Sequence, residues 1–77
     1  MDRKELEEKI IELVSVAYKK DNVTLETSFK NDLKGASVQM VALVSEIENE
    51  LDATIMLADA SACSTVADLV DLVENEL

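Results

Sequence analysis

The chain has 77 residues, a formal net charge of −10, no proline, no histidine and one glycine. A domain usually takes roughly 100–200 residues, so we expect residues 1–77 to form a single small domain. Proline and glycine mark most β-turns. Their near absence, together with 48 % hydrophobic residues, indicates a folded helical chain and excludes a disordered one.

The charges are divided unequally along the chain. Residues 1–34 contain all seven Lys and Arg with eight acids, whereas residues 35–77 contain nine acids and no base. Binding to phosphate groups requires Lys and Arg, so the acidic half excludes nucleic acid and anionic membrane surfaces and favours proteins with basic patches. No apolar run approaches the ~20 residues of a membrane span, and the charged start predicts no secretory signal. We therefore expect a cytoplasmic protein without stable membrane association.

The first predicted element is a helix that begins after Asp2. Asp2 followed by Glu5 is typical of a capping box, with Asp in place of Ser or Thr. Apolar residues then recur at helical spacing as far as Lys19 and Lys20, whose positive charge favours a helix end. The predicted buried face consists of Leu6, Ile10, Leu13, Val14 and Ala17.

Residues 21–36 form a long connection without helical periodicity, in which Phe29 and Leu33 are the predicted apolar anchors. Gly35 is the only glycine and directly precedes the next helix. Its missing Cβ permits a tight turn and the close approach of another molecule. A connection of this length is unusual in so small a domain and is often functional.

A second helix is predicted from about Ser37 to Leu51, where apolar residues return at helical spacing. Glu46, Glu48 and Glu50 lie near its end, where negative charge opposes the helix dipole, so they invite a functional interpretation. The predicted apolar stripe consists of Met40, Val41, Val44, Ile47 and Leu51, widened by Val38 and Leu43.

Two further segments complete the chain. Residues 55–62 predict a short third helix or turn, and Thr65 with Asp68 is typical of a capping box for a last helix. The fold class is therefore expected to be all-α, a small four-helix bundle of three longer helices and one short helix with a long first loop. The predicted buried face of the last helix consists of Val66, Leu69, Val70, Val73 and Leu77.

The residue types exclude most catalytic chemistry. Without histidine, the chain has no Ser-His or Cys-His dyad and no histidine-ligated metal site. Cys63 is the only cysteine, so it forms no internal disulfide, and we expect a small buried hydrophobe. Met40 and Met56 are expected to fill the core or a cleft. We therefore predict no catalytic residue, no metal and no enzyme activity.

One segment presents a serine at the start of an apolar helix, after an anchored loop. The sequence reads Ser28-Phe29-Lys30-Asn31-Asp32-Leu33, followed by Lys34-Gly35-Ala36-Ser37-Val38. This pattern resembles the acyl carrier proteins, whose members typically read Ser-Phe-x-x-Asp-Leu-Gly-x-Asp-Ser-Leu before this helix. The resemblance continues from Val23 to Val73 without a gap.

The resemblance implies that Ser37 carries a 4′-phosphopantetheine arm, which a phosphopantetheinyl transferase attaches from coenzyme A. A helix N-terminus suits such a phosphodiester because its N–H groups are unpaired and partly positive. The arm would hold acyl groups as thioesters for synthases, acyltransferases or ligases of fatty acid or specialised lipid biosynthesis. We expect a monomer that these enzymes approach with basic patches. The predicted docking residues are Val38, Met40, Val41, Glu46, Glu48 and Glu50.

The segment also departs from the family pattern. Ala36 replaces the usual Asp before the serine. Gln39 and Ala42 occupy positions that are often acidic, and Met56 replaces a frequent Pro. These changes remove charge beside the arm and favour dedicated partners with a less basic surface. Three alternatives remain. The first is a carrier of aminoacyl, peptidyl or polyketide groups. The second is an interaction module without the arm, in which Ser37 is a plain N-cap, and the third is a small hydrolase that uses acidic residues.

Overall fold

In the computed structural model of this protein, the described residues are 2–33 and 37–77. The helices within these ranges are α1 (Arg3–Tyr18), α2 (Ser37–Leu51), α3 (Leu57–Ser61) and α4 (Val66–Glu76). The predicted all-α fold of three longer helices and one short helix is therefore confirmed. None of the helices in these ranges is both long and apolar enough to cross a membrane. Lys34, Gly35, Ala36 and the side chain of Ser37 lie outside the described residues.

α1 begins and ends at the residues that the sequence indicated. The Asp2 carboxylate accepts a hydrogen bond from the backbone N–H of Glu5 over 2.8 Å, as an N-cap does. Lys19 follows the last turn with a φ of 53°, and this left-handed conformation lets the N–H of Lys20 donate to the carbonyl oxygen of Ser15. The helix thus ends directly before the two lysines.

A hydrophobic core packs between the helices, and each large apolar side chain buried there contributes about 1.5–3 kcal/mol to folding. Phe29 and Leu33 also lie in this core, as predicted. The largest fully buried side chains are Leu6, Ile10 and Val14 of α1, Leu43 and Ile47 of α2, and Val66, Leu69, Val70 and Val73 of α4.

Four apolar residues at the edges of the helices are exposed. Val38 is 73 % exposed and Val41 is 47 % exposed, as docking residues need to be, because the buried face of α2 is narrower than the apolar stripe in the sequence. Met56 is 68 % exposed at the N-cap of α3 and lines a cavity of about 210 Å³ with Ile55 and Leu72, in agreement with the expected cleft position. Leu77 is 59 % exposed because it follows the last residue of α4.

The connection between α1 and α2 is held against the start of α4. Thr65 and Asp68 form the predicted capping box, in which the Thr65 hydroxyl accepts from the Asp68 N–H and the Asp68 carboxylate accepts from the Thr65 N–H. The N–H of Val66 then donates to the carbonyl oxygen of Thr27 over 3.1 Å. In the described ranges, strand pairing is limited to one antiparallel bridge, between Ser28 and Thr65.

Positive charge on α1 joins the helix to α4. The Arg3 Nη1 lies 2.8 Å from a carboxylate oxygen of Asp71 and 2.8 Å from one of Glu74, while Arg3 Nε donates to Glu7 over 2.9 Å. Hydrogen bonds to Glu7 and then to Asp71 raise the pKa of the Arg3 guanidinium. The half of the sequence that contains all the Lys and Arg is thereby connected to the half that contains none.

Candidate functional site

Ser37, the predicted attachment residue, is the first residue of α2. A helix start leaves backbone N–H groups unpaired and carries a partial positive charge. The first turn of α2 contains no acidic residue, so no carboxylate in that turn offsets this charge. The neighbouring Val38 is largely exposed.

A π-helical turn, Phe29–Leu33, holds the segment that leads towards Ser37. The Ser28 N–H donates to the Asp32 carboxylate over 2.8 Å, and the Ser28 carbonyl oxygen accepts from the N–H groups of Asp32 and Leu33 over 2.9 and 3.1 Å. The Asn31 N–H donates to the Ser28 hydroxyl over 3.1 Å. Apolar periodicity does not reveal this turn, because polar side chains stabilise it.

The exposed docking residues predicted on α2 lie on two flanks of the helix. Val38, Val41 and Glu48 are three and seven positions apart and share one flank, which we call the arm flank. Glu46 and Glu50 are four positions apart and share the other flank, where they line a groove with residues of α1. The predicted set therefore does not form one continuous surface.

Met40 does not contribute to either flank. Its side chain is only 8 % exposed and lies in the core on the same face as Val44 and Ile47, four and seven positions further on. The prediction that partners dock on Met40 does not fit this position. Met40 instead packs in the core, in agreement with the expectation that its side chain fills the core.

Comparison with known proteins decides the family. Residues 6–73 match the family described as "Phosphopantetheine attachment site". The chain is also similar to an acyl carrier protein of Exiguobacterium sp. (strain ATCC BAA-1283 / AT1b), with 38 % identity over 55 residues that cover 71 % of this chain and 70 % of that protein. The chain belongs to the acyl carrier protein family.

Membership confirms the family that the sequence motif indicated. The acyl carrier is a carrier and not a catalyst, and its prosthetic group is a covalently attached 4′-phosphopantetheine. The start of α2 fits this group, because a phosphodiester there meets unpaired N–H groups and no carboxylate from the first turn.

The junction between α2 and α3 is joined to Glu48 of the arm flank by a hydrogen bond. α2 ends where Asp52 takes a φ of 57°. The Glu48 carboxylate then accepts a hydrogen bond from the Ile55 N–H over 3.4 Å, which holds the junction beside the arm flank. Met56 and Leu57 follow directly and are both exposed. The sequence analysis did not assign Met56 and Leu57 to the surface, although their position shortly after the end of α2 could have indicated exposure.

The α1-facing flank of α2 carries a shared ion pair. The Lys9 Nζ lies 2.9 Å from Oε1 of Glu50 and 3.2 Å from Oε1 of Glu12. Hydrogen bonds to Glu50 and then to Glu12 raise the pKa of Lys9. Glu46 makes no ion pair with a described residue, so its charge is available to other molecules.

The acyl carrier's own thiol is poorly suited to carry cargo. Cys63 is buried, as predicted, and burial raises the pKa of its thiol, with further contributions from Asp68 and Asp59. A thiol is a weak nucleophile until it ionises. In the part of the chain that the structure describes, no group of His, Cys, Asp and Glu is arranged to hold a metal ion.

Proposed function

We propose that this acyl carrier holds acyl intermediates on a 4′-phosphopantetheine arm attached to Ser37 and delivers them to cytosolic enzymes of fatty acid or specialised lipid biosynthesis. The observation that carries the proposal is that the family's serine motif coincides with the first residue of α2. When bound, the arm supplies a terminal thiol that carries the cargo as a thioester. The residues of the chain provide the attachment point, the charge environment and the docking surface.

The charge environment at Ser37 supports a phosphodiester. The partial positive charge at a helix N-terminus stabilises a nearby anion by about 0.3–1 kcal/mol at an exposed position. The nearest acid along α2 is Glu46, more than two turns beyond Ser37. α2 therefore places no negative charge of its own beside the proposed attachment point.

The arm flank supports docking by a surface that is more apolar than basic. Its exposed apolar side chains are Val38 and Val41, with Met56 and Leu57 at the adjoining junction. Glu48 is the acid on this flank, and its carboxylate also accepts the bond from the junction. We therefore propose that acyl-handling partners present an apolar patch bordered by a basic side chain. The net charge of −10 steers such partners towards the carrier from a distance.

One departure from the family motif favours a second candidate. Ala36 stands where members usually have Asp, and this change favours a carrier fold that acts as an interaction module without the arm. The two candidates differ in whether Ser37 is modified. A carrier of aminoacyl or polyketide groups differs only in its cargo, which loading assays on the modified protein distinguish.

Intact-protein mass spectrometry tests the proposal. The chain is incubated with coenzyme A and a broad-specificity phosphopantetheinyl transferase, and then with transferases of the source organism. We expect a gain of one phosphopantetheine that is absent in Ser37→Ala and retained in Ser45→Ala, an exposed serine two turns further along α2. Failure with every transferase would favour the interaction module, and a gain in Ser37→Ala would show that another residue is modified.

The docking surface is tested by the rate of that modification. Val41→Ser removes an exposed apolar side chain from the arm flank, so we expect kcat/KM of the transferase for the carrier to fall by about threefold or more. Val16→Ser is the matched control, because Val16 is an equally small exposed side chain on α1. Equal rates for Val41→Ser and the unchanged chain would remove Val41 from the docking surface.

A further inference from the structure

A groove lies between α1 and α2, on the side of α2 that carries Ala42, Glu46 and Glu50. Its volume is about 510 Å³. Small apolar side chains line it, including Val16 and Ala17 of α1 and Ala42 of α2. Val16 is 69 % exposed although it is a branched aliphatic residue. The groove therefore offers apolar area that the fold itself leaves uncovered.

The rim of this groove is negatively charged. Glu12 of α1 and Glu46 and Glu50 of α2 line it together with one cation, Lys9. Lys9 is already held by Glu12 and Glu50, whereas Glu46 makes no ion pair with a described residue. Three carboxylates against one ammonium leave the rim with an excess of two negative charges. An apolar floor with such a rim is complementary to an aliphatic side chain flanked by Lys or Arg.

We propose that this groove is a second docking site, which binds a partner protein through a segment that presents an aliphatic side chain between basic residues. The groove is separate from Val41 and Glu48 of the arm flank, because its residues on α2 lie more than about a quarter of a turn around the helix from both of them. Binding at the groove requires neither Ser37 nor the arm, so it goes beyond the proposed carrier function.

Charge decides against a second copy of the chain as the occupant. Each copy carries a net charge of −10, and its acidic half contains no base. Two copies therefore repel each other, and the repulsion is strongest where one acidic half approaches the rim of the other groove. A basic segment from another protein gains the attraction that a second copy lacks.

Amide chemical shifts of the full ¹⁵N-labelled chain test the proposal. The probe is a synthetic peptide of leucine and lysine with leucines at helical spacing, about 15 residues long so that its helix can form. We expect shifts that concentrate on Leu13, Val16, Ala42 and Glu46. The same peptide with glutamate in place of lysine is expected not to bind.

Matched variants locate the binding. We expect Val16→Ser to weaken peptide binding about fivefold, because an apolar contact is lost. We expect Glu46→Gln to weaken it about twofold to fivefold, as for an exposed ion pair. Val41→Ser and Glu26→Gln are controls that remove an exposed valine on the other side of α2 and an exposed charge in the loop, and both are expected to bind as the unchanged chain does.

Several results would overturn the proposal. They are no binding, equal binding of the glutamate peptide, shifts centred on Val41 and Glu48, or an equal loss in Val41→Ser. Shifts at Val16 that depend on protein concentration without peptide would identify a second copy as the occupant. Ser37→Ala is expected to bind the peptide normally, so failure of the groove and failure of the carrier function are separate outcomes.

Discussion

The backbone N–H of Phe29 donates to the carbonyl oxygen of Ser64 over 2.9 Å. This bond joins the loop before α2 to the turn before α4. A second bond, from the N–H of Val66 to the carbonyl oxygen of Thr27, joins the same two segments. The turn Phe29–Leu33, which precedes the proposed attachment serine in the sequence, is therefore positioned by the start of α4. Substitutions at the start of α4 should consequently also affect the loop.

Thr65→Val tests this coupling. Loss of an N-cap hydroxyl costs about 1 kcal/mol, so we expect the midpoint of urea unfolding to fall accordingly. We also expect faster hydrogen exchange of the Phe29 amide, because its acceptor Ser64 directly precedes the cap. Thr54→Val is the control, since Thr54 is exposed and makes no side-chain hydrogen bond to a described residue. An unchanged exchange rate at Phe29 in Thr65→Val would show that the two segments are independent.

Tyr18 and Phe29 form an aromatic pair that ties the end of α1 to the loop. Their ring centroids lie 6.0 Å apart with an interplanar angle of 51°. Such pairs contribute about 0.5–1.5 kcal/mol beyond the area they bury. We expect Tyr18→Leu, Phe29→Leu and the double variant to give a coupling free energy of that size in urea unfolding. Additive losses in the free energy of unfolding would mean that the two rings stabilise the fold only through the area that each of them buries.

Arg3 is expected to stabilise the packing of α4 on α1. Arg3→Gln removes the contacts to Asp71 and Glu74, so we expect a decrease in Tm of a few degrees at low salt. Added salt should reduce the difference, because these groups are largely exposed. Lys4→Gln removes the same charge from an exposed position without a described ion pair and serves as the control. An equal decrease in Lys4→Gln would assign the effect to net charge alone.

Thiol chemistry should separate Cys63 from the proposed arm. Cys63 is buried with a raised pKa, so we expect it to react slowly with a disulfide reagent at neutral pH and rapidly after unfolding. The modified carrier should show one fast thiol, and the unmodified chain none. A fast thiol in the unmodified chain would contradict the described position of Cys63.

The same thiol predicts how stability responds to alkaline pH. Burial raises the pKa of Cys63 above its ordinary value of 9.0, so folding favours the neutral thiol. Its contribution is fully present below that ordinary value and is lost as pH rises towards the pKa of the folded state. We expect the free energy of unfolding to fall as pH rises above about 9, and Cys63→Ala to flatten this part of the curve. An equally steep fall in Cys63→Ala would assign it to other groups, such as Tyr18, whose pKa burial also raises.

Local signals were sufficient to predict where the helices begin and end. Asp2 and Thr65 each accept a hydrogen bond as N-caps, and Ser37 and Leu51 are the first and last residues of α2. Capping depends on residues three positions apart, so a single sequence contains the necessary information. The fold class could be predicted because helices with one apolar face each bury these faces by packing against one another.

The sequence could not show which side chains of α2 face the core, because tertiary packing determines this. The apolar stripe of α2 did not reveal that Met40 faces the core while Val41 faces solvent, because this depends on which sides α1 and α3 cover. The same uncertainty hid the separation of Glu46 from Glu48. The link from Glu48 to the Ile55 N–H depends on the path of the chain after α2, which no periodic pattern encodes.

The attachment of the loop to the start of α4 has a consequence for the order of events during synthesis. α4 leaves the ribosome after the loop, and Ser64 and Val66 must be present before their hydrogen bonds to Phe29 and Thr27 can form. The turn Phe29–Leu33 therefore reaches its final position only after the start of α4 has been synthesised. We expect a transferase that recognises this folded turn to act on a chain that includes α4 and not on a nascent chain that ends before it.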